Sequence, residues 1–203
     1  MPEALDDTAL PDWRNSIFAQ RGTLLALSAA TLVIFGRPNG KSVASGLPLA
    51  LAGEALRCWA VGYSGVTTRS DRVTAPALVT AGPYAYVRNP LYVGNFITAL
   101  GFTIAFTGAL QPAKSLLLGV LGLGSMLAVY AAIVPLEESY LRKTFGASFD
   151  EYVARVPRLI PRSAPAEPQN GTYDASVIAR AETRTFLTFG AMLLALGLKM
   201  PRA

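Results

Sequence analysis

The chain has 203 residues, of which 52% are hydrophobic and only 15% are charged, whereas an ordinary soluble domain has about 25% charged residues. It contains no histidine and one cysteine, Cys58, so an intrachain disulfide is excluded and zinc, haem and histidine-based catalysis are disfavoured. The net charge of +5 comes from basic residues in loops between apolar runs, which favours a membrane protein over a nucleic-acid-binding one. We therefore expect a single all-α domain, residues 1–203, embedded in a membrane.

Five apolar stretches follow one another along the chain, and a bilayer core about 30 Å thick requires roughly 20 helical residues to cross it. Four are long enough, namely residues 16–36, 45–63, 91–110 and 115–136. The fifth, residues 185–198, is short, so it either spans with its flanks, lies in the interface or packs on the other helices. The acidic N-terminus argues against a cleaved signal peptide, so the first stretch is expected to remain, and about five transmembrane helices are predicted.

The third and fourth stretches are joined by only a few residues, which predicts an antiparallel helical hairpin. Both carry glycines of the kind that permit close helix packing, at positions 94, 101, 119, 122 and 124. The second stretch instead carries Glu54 and Arg57, one helical turn apart. Charges inside a span are functional candidates, but an ion pair that fixes this helix to its neighbours explains them equally well.

The distribution of basic residues predicts the orientation. If the N-terminus is cytoplasmic, most arginines lie inside, and only Arg37, Lys41 and Lys114 lie outside before the final stretch. Two cytoplasmic segments then face each other, the loop 64–89 and the chain beyond Leu136, and polar chemistry is expected between them. The proline-rich residues 163–174, SAPAEPQNGTYD, have the composition of a linker that tethers the last helix loosely.

The motif GPYAYVRNPLY, residues 82–92, opens the third stretch. Proline suits the first turn of a helix and asparagine is a good N-cap, so Asn89 and Pro90 are predicted to start the helix. The free N–H groups there and Arg88 beside them form a candidate anion site, which makes Arg88 a candidate substrate contact. A topology signal or a lipid headgroup contact explains Arg88 as well, and an interfacial aromatic belt explains the tyrosines.

Two adjacent carboxylates, Glu137 and Glu138, end the fourth stretch, and the hairpin geometry returns them to the face where the motif starts. Carboxylates are unfavourable at a helix C-terminus, whose dipole prefers cations. They are either a solvated helix end neutralised by Arg142 and Lys143, or a site for a cationic or hydroxylated ligand.

The motif and the Glu-Glu pair, followed by Phe145-Gly146, Tyr152 and VPRLIP at 156–161, resemble the isoprenylcysteine carboxyl methyltransferase family. The wider group includes phospholipid N-methyltransferases. The resemblance covers residues 76–161 and implies a membrane-embedded, S-adenosylmethionine-dependent methyltransferase with its cofactor pocket at the cytoplasmic face. It implies that the cofactor is bound by Leu78, Val79, Tyr84, Asn89, Pro90, Leu91, Tyr92, Glu137 and Glu138.

This sequence departs from the family in two places. Asn89 stands where the family usually has histidine, so it can form hydrogen bonds but cannot take a proton. Ile133 stands where the eukaryotic carboxyl methyltransferases have an arginine thought to face the substrate. The resemblance therefore supports a cofactor site more strongly than it supports a prenylcysteine substrate.

Several functions remain open at this point. We expect methyl transfer to a lipophilic small molecule or lipid-modified acceptor. If the acceptor group is a carboxylate, it is already ionised at neutral pH and needs no base. A phospholipid amine is the nearest alternative acceptor, and it must lose a proton to Glu137, Glu138 or a tyrosine. An NADPH-dependent protein related to the sterol reductases and a non-catalytic membrane scaffold are the others. Membrane lipids are expected partners, with no metal and no nucleic acid.

Overall fold

The computed structural model describes residues 12–65 and 75–201, and within them the chain forms α-helices and no β-strand. The acidic N-terminus and residues 66–74 of the predicted cytoplasmic loop lie outside the described residues. A 3₁₀ turn occupies Gly82–Ala85. The helices are α1 (Asp12–Phe35), α2 (Gly40–Ser64), α3 (Pro90–Thr107), α4 (Pro112–Phe145), α5 (Ala147–Arg155) and α6 (Ser176–Lys199).

Two helices in the described part of the chain, α3 and α4, are long and apolar enough to cross a membrane. They have 18 and 34 residues and form the hairpin that the sequence predicts. In α1 the apolar segment is shorter, Gln20–Phe35. α2 and α6 coincide with the second and fifth predicted stretches, but they carry more polar residues than α3.

Helices α2 and α3 form the closest contact of the bundle, and glycines make it possible. A Cβ atom added to Gly101 would lie 2.3 Å from the backbone nitrogen of Ala50, and one added to Gly53 would lie 2.5 Å from the backbone nitrogen of Thr98. A Cβ atom added to Gly46 would lie 2.4 Å from the carbonyl oxygen of Gly101, and one added to Gly94 would lie 2.9 Å from the carbonyl oxygen of Gly53. The two backbones therefore approach as near as residues without side chains allow.

The remaining long helices pack around this pair. α4 packs on α1 through a core that includes Met126, Tyr130 and Ile133. α6 packs on the bundle through Met192 and Leu196, which join a second apolar core. Its last residue is tied to the end of α1, because the Lys199 Nζ donates 2.9 Å hydrogen bonds to the carbonyls of Ile34 and Gly36. The fifth stretch therefore packs on the other helices.

The segment 163–174 lacks regular structure, as its composition predicts, but the expectation of a loose tether is wrong. Its backbone bonds to the loop before α3: the Ala166 N–H donates to the Ala85 carbonyl at 2.9 Å, and the Thr80 N–H donates to the Asn170 carbonyl at 2.8 Å. The Asn170 side chain donates to the Leu78 carbonyl at 2.9 Å. The segment is thus held against the motif loop, because that loop offers unpaired backbone groups that the segment satisfies.

Candidate functional site

A cavity of about 1040 Å³ lies inside the helical bundle. One end is formed by the loop 75–92, the C-terminal part of α4 and α5, and the other end by apolar side chains such as Leu32, Phe102 and Met192. All nine residues predicted to bind a cofactor line this cavity, and so does Arg88. The structure thus brings together the two halves of the pattern that the sequence separates by a helical hairpin.

The motif begins with a tight turn, as its Gly-Pro pair predicts. Gly82 has φ +60°, and a Cβ atom there would lie 2.2 Å from the ring of Tyr63, so this position requires glycine. The turn presents Tyr84 to the cavity. Its carbonyl accepts a 2.8 Å hydrogen bond from the Tyr152 hydroxyl on α5, which fixes the turn.

The Tyr84 hydroxyl is buried, and this burial raises its pKa to about 12. The nearby charge of Glu137 raises the pKa further, whereas a hydrogen bond with Ser64 and the charge of Arg57 lower it. Tyr84 therefore stays protonated at neutral pH and can donate a hydrogen bond.

Helix α3 begins at Pro90, as predicted, but Asn89 does not cap it in the predicted way. Its side chain makes no capping hydrogen bond. The Nδ2 instead donates to the Arg158 carbonyl at 3.1 Å, in the segment that follows α5. The backbone carbonyl of Asn89 accepts the first hydrogen bonds of the helix, from Tyr92 and Val93. The side chain is thus used to hold a neighbouring segment, because that segment passes directly beside the helix start.

Glu137 is fixed in the cavity wall by Tyr92. The Tyr92 hydroxyl donates a 2.6 Å hydrogen bond to the Glu137 Oε1. The Tyr92 ring in turn packs on Tyr130, with 4.5 Å between ring centroids. A carboxylate can accept several hydrogen bonds, so this contact orients Glu137 and leaves it able to accept others.

Glu138 has a different environment, since two arginines surround it. The Nε of Arg88 lies 3.0 Å from the Glu138 Oε1. Arg158 forms a bidentate contact with the same carboxylate: its Nε donates to Oε1 and its Nη2 donates to Oε2. Only 9% of the Glu138 side chain is exposed. Glu138 therefore joins α4 to the motif and to the segment after α5.

This arrangement corrects the simpler interpretation of the Glu-Glu pair. Arg142 does not neutralise Glu138, because it pairs with Asp150 of α5 at 2.7 Å. The role of Arg158 is not predicted from the sequence, although this residue lies in the VPRLIP stretch. The feature that could have indicated this role is a single arginine within a short apolar segment that directly follows a helix.

Arg88 is occupied by partners inside the protein. Besides Glu138, its Nη1 donates to the backbone carbonyls of Val153 and Val156. Its side chain is 10% exposed. A substrate contact by Arg88 stays a prediction, but these bonds favour a role in joining the motif to α5.

A second polar cluster also lines the cavity, and we call it the Glu54–Arg57–Glu182 cluster. Glu54 and Arg57 pair at 3.6 Å along α2, as their spacing predicts. The Arg57 Nη2 also bonds to Glu182 of α6 at 2.6 Å and to the Thr185 hydroxyl at 3.2 Å. The Arg57 Nη1 donates to Asn95 of α3. Glu182, which lies just before the fifth apolar stretch, is not among the residues predicted from the sequence.

Comparison with known proteins shows the family. The profile of the phospholipid methyltransferase family matches residues 42–148, more than half of the chain. The chain belongs to this family. The resemblance seen in the motif and the Glu-Glu pair is thereby confirmed. The matched region contains all but the first two residues of α2 and the whole of α3 and α4. It ends as α5 begins, so α6 and its Glu182 lie outside it.

The chain is similar to parts of several named proteins. It is 36% identical over 121 residues to the protein-S-isoprenylcysteine O-methyltransferase of Schizosaccharomyces pombe, covering 58% of this chain and 48% of that protein. It is 30% identical over 120 residues to protein-S-isoprenylcysteine O-methyltransferase B of Arabidopsis thaliana, covering 57% of each. It is 38% identical over 85 residues to the nickel-cobalt-cadmium resistance protein NccN of Alcaligenes xylosoxydans xylosoxydans, covering 42% of this chain and 36% of that protein.

The chain thus spans between about a third and somewhat more than half of the length of these relatives. No solved structure matches it. In the part of the chain that the structure describes, no group of three or more cysteine, aspartate and glutamate side chains could hold a metal ion.

Proposed function

We propose that this protein is an integral membrane methyltransferase that uses S-adenosylmethionine and methylates a lipophilic acceptor. The observation that carries the proposal is a single cavity in which the motif residues and Glu137 form the polar end and apolar side chains form the other. Membership of the phospholipid methyltransferase family and similarity to two O-methyltransferases support it.

The residues present suit the cofactor, which carries cationic and hydroxylated groups beside a flat base. Glu137 is the carboxylate best suited to its amino or ribose groups, because Glu138 is already bonded to Arg88 and Arg158. Leu78 would contribute packing, since its carbonyl already accepts a bond from Asn170. The other residues that would form the pocket wall are Val79, Tyr84, Asn89, Pro90, Leu91 and Tyr92.

The size of the cavity also fits two ligands. Small-molecule sites generally occupy about 300–1,000 Å³, and this cavity reaches about 1040 Å³. A cofactor at the polar end therefore leaves room for the acceptor along the apolar wall.

The bound cofactor would supply an electrophilic methyl group on a sulfonium. The protein would hold this group and the acceptor in line and exclude water, which are the main sources of catalysis in such a displacement. A carboxylate acceptor requires no base. An amine acceptor must lose a proton, and Glu137 is the group suited to take it, because Asn89 cannot and Tyr84 stays protonated.

We further propose that α1, α2, α3, α4 and α6 cross the membrane as one domain with the N-terminus and the motif in the cytoplasm. Residues 76–161 would form the cofactor-binding core. The positive-inside rule supports this orientation, because the motif end carries most of the arginines of the loops. The cofactor would then enter from water and the acceptor from the bilayer. A cysteine introduced at Glu151 should react with a membrane-impermeant reagent only from the cytoplasmic side.

Binding of S-adenosylhomocysteine to the detergent-solubilised protein, measured by titration calorimetry, tests the activity. We expect saturable binding that Glu137→Ala and Tyr84→Ala each weaken at least tenfold without a change in the circular dichroism spectrum. Arg142→Ala is the control, since this arginine pairs with Asp150 outside the cavity. No binding by the wild type, or binding of NADPH in its place, would refute the proposal.

A further inference from the structure

Residues 78–81, which directly precede the tight turn of the motif, form neither helix nor strand. Leu78 and Val79 line the cavity, and both are among the residues proposed to bind the cofactor. Thr80 is only 8% exposed. Buried backbone groups outside a helix or strand require partners in other segments, so these partners determine the conformation of such a loop.

Four hydrogen bonds join this loop to one residue, Asn170. The Asn170 carbonyl accepts from the N–H groups of Thr80 and Ala81, at 2.8 and 3.1 Å. The Asn170 N–H donates to the Thr80 Oγ1 at 2.8 Å, and its side-chain Nδ2 donates to the Leu78 carbonyl at 2.9 Å. Asn170 thus fixes the backbone on both sides of Val79.

The segment 163–174, which carries Asn170, is itself anchored on both sides. Before Asn170 it is bonded to the 3₁₀ turn of the motif. After Asn170, the Tyr173 ring packs on Tyr63 of α2 with 5.5 Å between ring centroids. The Asp174 N–H donates to the Gly62 carbonyl of the same helix at 2.8 Å. The segment is therefore a fixed support for the loop.

The segment also reaches the cavity beside the loop. Gly171 and Thr172 are part of the cavity wall. A Cβ atom added to Gly171 would lie 3.1 Å from the Val79 Cγ1, so the segment limits the position of the Val79 side chain. The family profile ends at residue 148, and Asn170 lies outside the matched region.

We propose that Asn170 is a positioning residue for cofactor binding, which holds residues 78–81 in the conformation that lets Leu78 and Val79 pack on the cofactor. The inference rests on the proposed function. Without the bonds of Asn170 the loop would sample more conformations, and the cofactor would have to order it on binding, at a cost in affinity. Asn170 acts through the loop and requires no contact of its own with the cofactor.

Two variants remove one hydrogen bond each from this contact. Asn170→Ala removes the donor to the Leu78 carbonyl. Thr80→Val replaces the hydroxyl that accepts from the Asn170 N–H with a methyl group of similar size. Titration calorimetry with S-adenosylhomocysteine on the detergent-solubilised full chain compares them with wild type. We expect each variant to bind about fivefold more weakly, as for the loss of one hydrogen bond.

Two controls separate positioning from stability. Asn39→Ala removes the N-cap of α2, whose Oδ1 accepts from the Ser42 N–H at 2.8 Å, so it should lower the unfolding temperature and leave the affinity unchanged. Thr144→Val makes the same change as Thr80→Val at an exposed hydroxyl of α4 and should alter neither quantity. An affinity that falls as much in Asn39→Ala as in Asn170→Ala would mean that it follows stability, which would overturn the inference.

Hydrogen–deuterium exchange without ligand reports the order of the loop itself. The amides of Thr80 and Ala81 should exchange slowly in wild type and faster in both variants. Faster exchange with unchanged affinity, or weaker affinity with unchanged exchange, would contradict a role that acts through the loop. If Thr80→Val does not fold, Asn170→Ala at its exposed position decides.

The wild type distinguishes this inference from the proposed function. If wild type binds S-adenosylhomocysteine and both variants bind it equally well, the role of Asn170 is refuted and the proposed function stands. If wild type does not bind it, the proposed function fails and the role of Asn170 fails with it.

Discussion

The hydroxyl of Tyr92 donates a 2.6 Å hydrogen bond to the Glu137 Oε1, so the first turn of α3 is joined to the last part of α4. The two residues are 45 positions apart, at the two ends of the helical hairpin. This bond joins the motif at residues 82–92 to the Glu-Glu pair, and both line the same cavity.

Because Tyr92 orients Glu137, the two side chains should act as a unit in cofactor binding. Tyr92→Phe and Glu137→Gln should each lower the affinity for S-adenosylhomocysteine about tenfold, or about 1.4 kcal/mol. The double variant should lose less than the sum, with a coupling energy of about 0.5–1.4 kcal/mol. Titration calorimetry on the four proteins measures this cycle. Tyr140→Phe, on the same helix but outside the cavity, should change nothing, and strict additivity would show that Tyr92 does not act through Glu137.

The ion pairs of Glu138 and Arg142 should differ widely in their contribution to stability. Glu138 is 9% exposed and bonded to two arginines, and removal of one partner of a buried pair costs about 3–5 kcal/mol. Arg142 and Asp150 are 53% and 56% exposed, and such pairs contribute about 0–1 kcal/mol. We expect Glu138→Ala to lower the unfolding temperature strongly and Arg142→Ala to leave it nearly unchanged. Similar shifts in the two variants would contradict the structural role of Glu138.

The absence of an Asn89 capping bond leads to a stability prediction of its own. Loss of a capping side chain typically costs about 1 kcal/mol and is largely avoided when serine or aspartate replaces asparagine. Asn89 instead bonds to the Arg158 carbonyl, so Asn89→Ser and Asn89→Asp should be no more stable than Asn89→Ala. Thermal unfolding of the three variants in one detergent tests this, and rescue by serine or aspartate would restore the capping interpretation.

Much of the fold could be predicted because it depends on local pattern. Apolar length and a short connection predict the α3–α4 hairpin, and Pro90 predicts where α3 begins. The hairpin alone is enough to predict that Glu137 lies opposite the motif. The Glu54–Arg57 pair could be predicted for the same reason, since one helical turn separates the two residues.

The features that were missed depend on contacts between distant segments. Glu182 reaches Arg57 only because α6 folds back on α2, and no local signal in residues 176–199 indicates this. The segment 163–174 has the composition of a linker, yet its backbone completes the hydrogen bonds of the loop 78–85. Likewise, five glycines of the hairpin look alike in the sequence, but only Gly94 and Gly101 face a neighbouring backbone.

This difference between glycines gives a direct test of the α2–α3 contact. A methyl group at Gly101 would lie 2.3 Å from the Ala50 nitrogen, so Gly101→Ala should force the helices apart and cost about 1–3 kcal/mol. A methyl group at Gly190 of α6 would meet nothing within 4 Å, so Gly190→Ala should be neutral or stabilise by up to about 1 kcal/mol. Thermal unfolding compares the two. A stable Gly101→Ala variant would mean that the two helices are not in close contact.

The buried Tyr84 hydroxyl predicts a loss of stability at alkaline pH. Its pKa is about 12 in the folded protein against about 10 when unfolded, so the folded state holds the proton more tightly. The resulting stabilisation is fully present below pH 10 and is lost as the pH rises from 10 to 12, at up to about 1.4 kcal/mol per pH unit. Tyr84→Phe cannot ionise, so its unfolding temperature should fall less steeply than that of the wild type across this range. Tyr173→Phe, at an exposed tyrosine, is the control, and an identical slope in wild type and Tyr84→Phe would show that the Tyr84 hydroxyl is not buried.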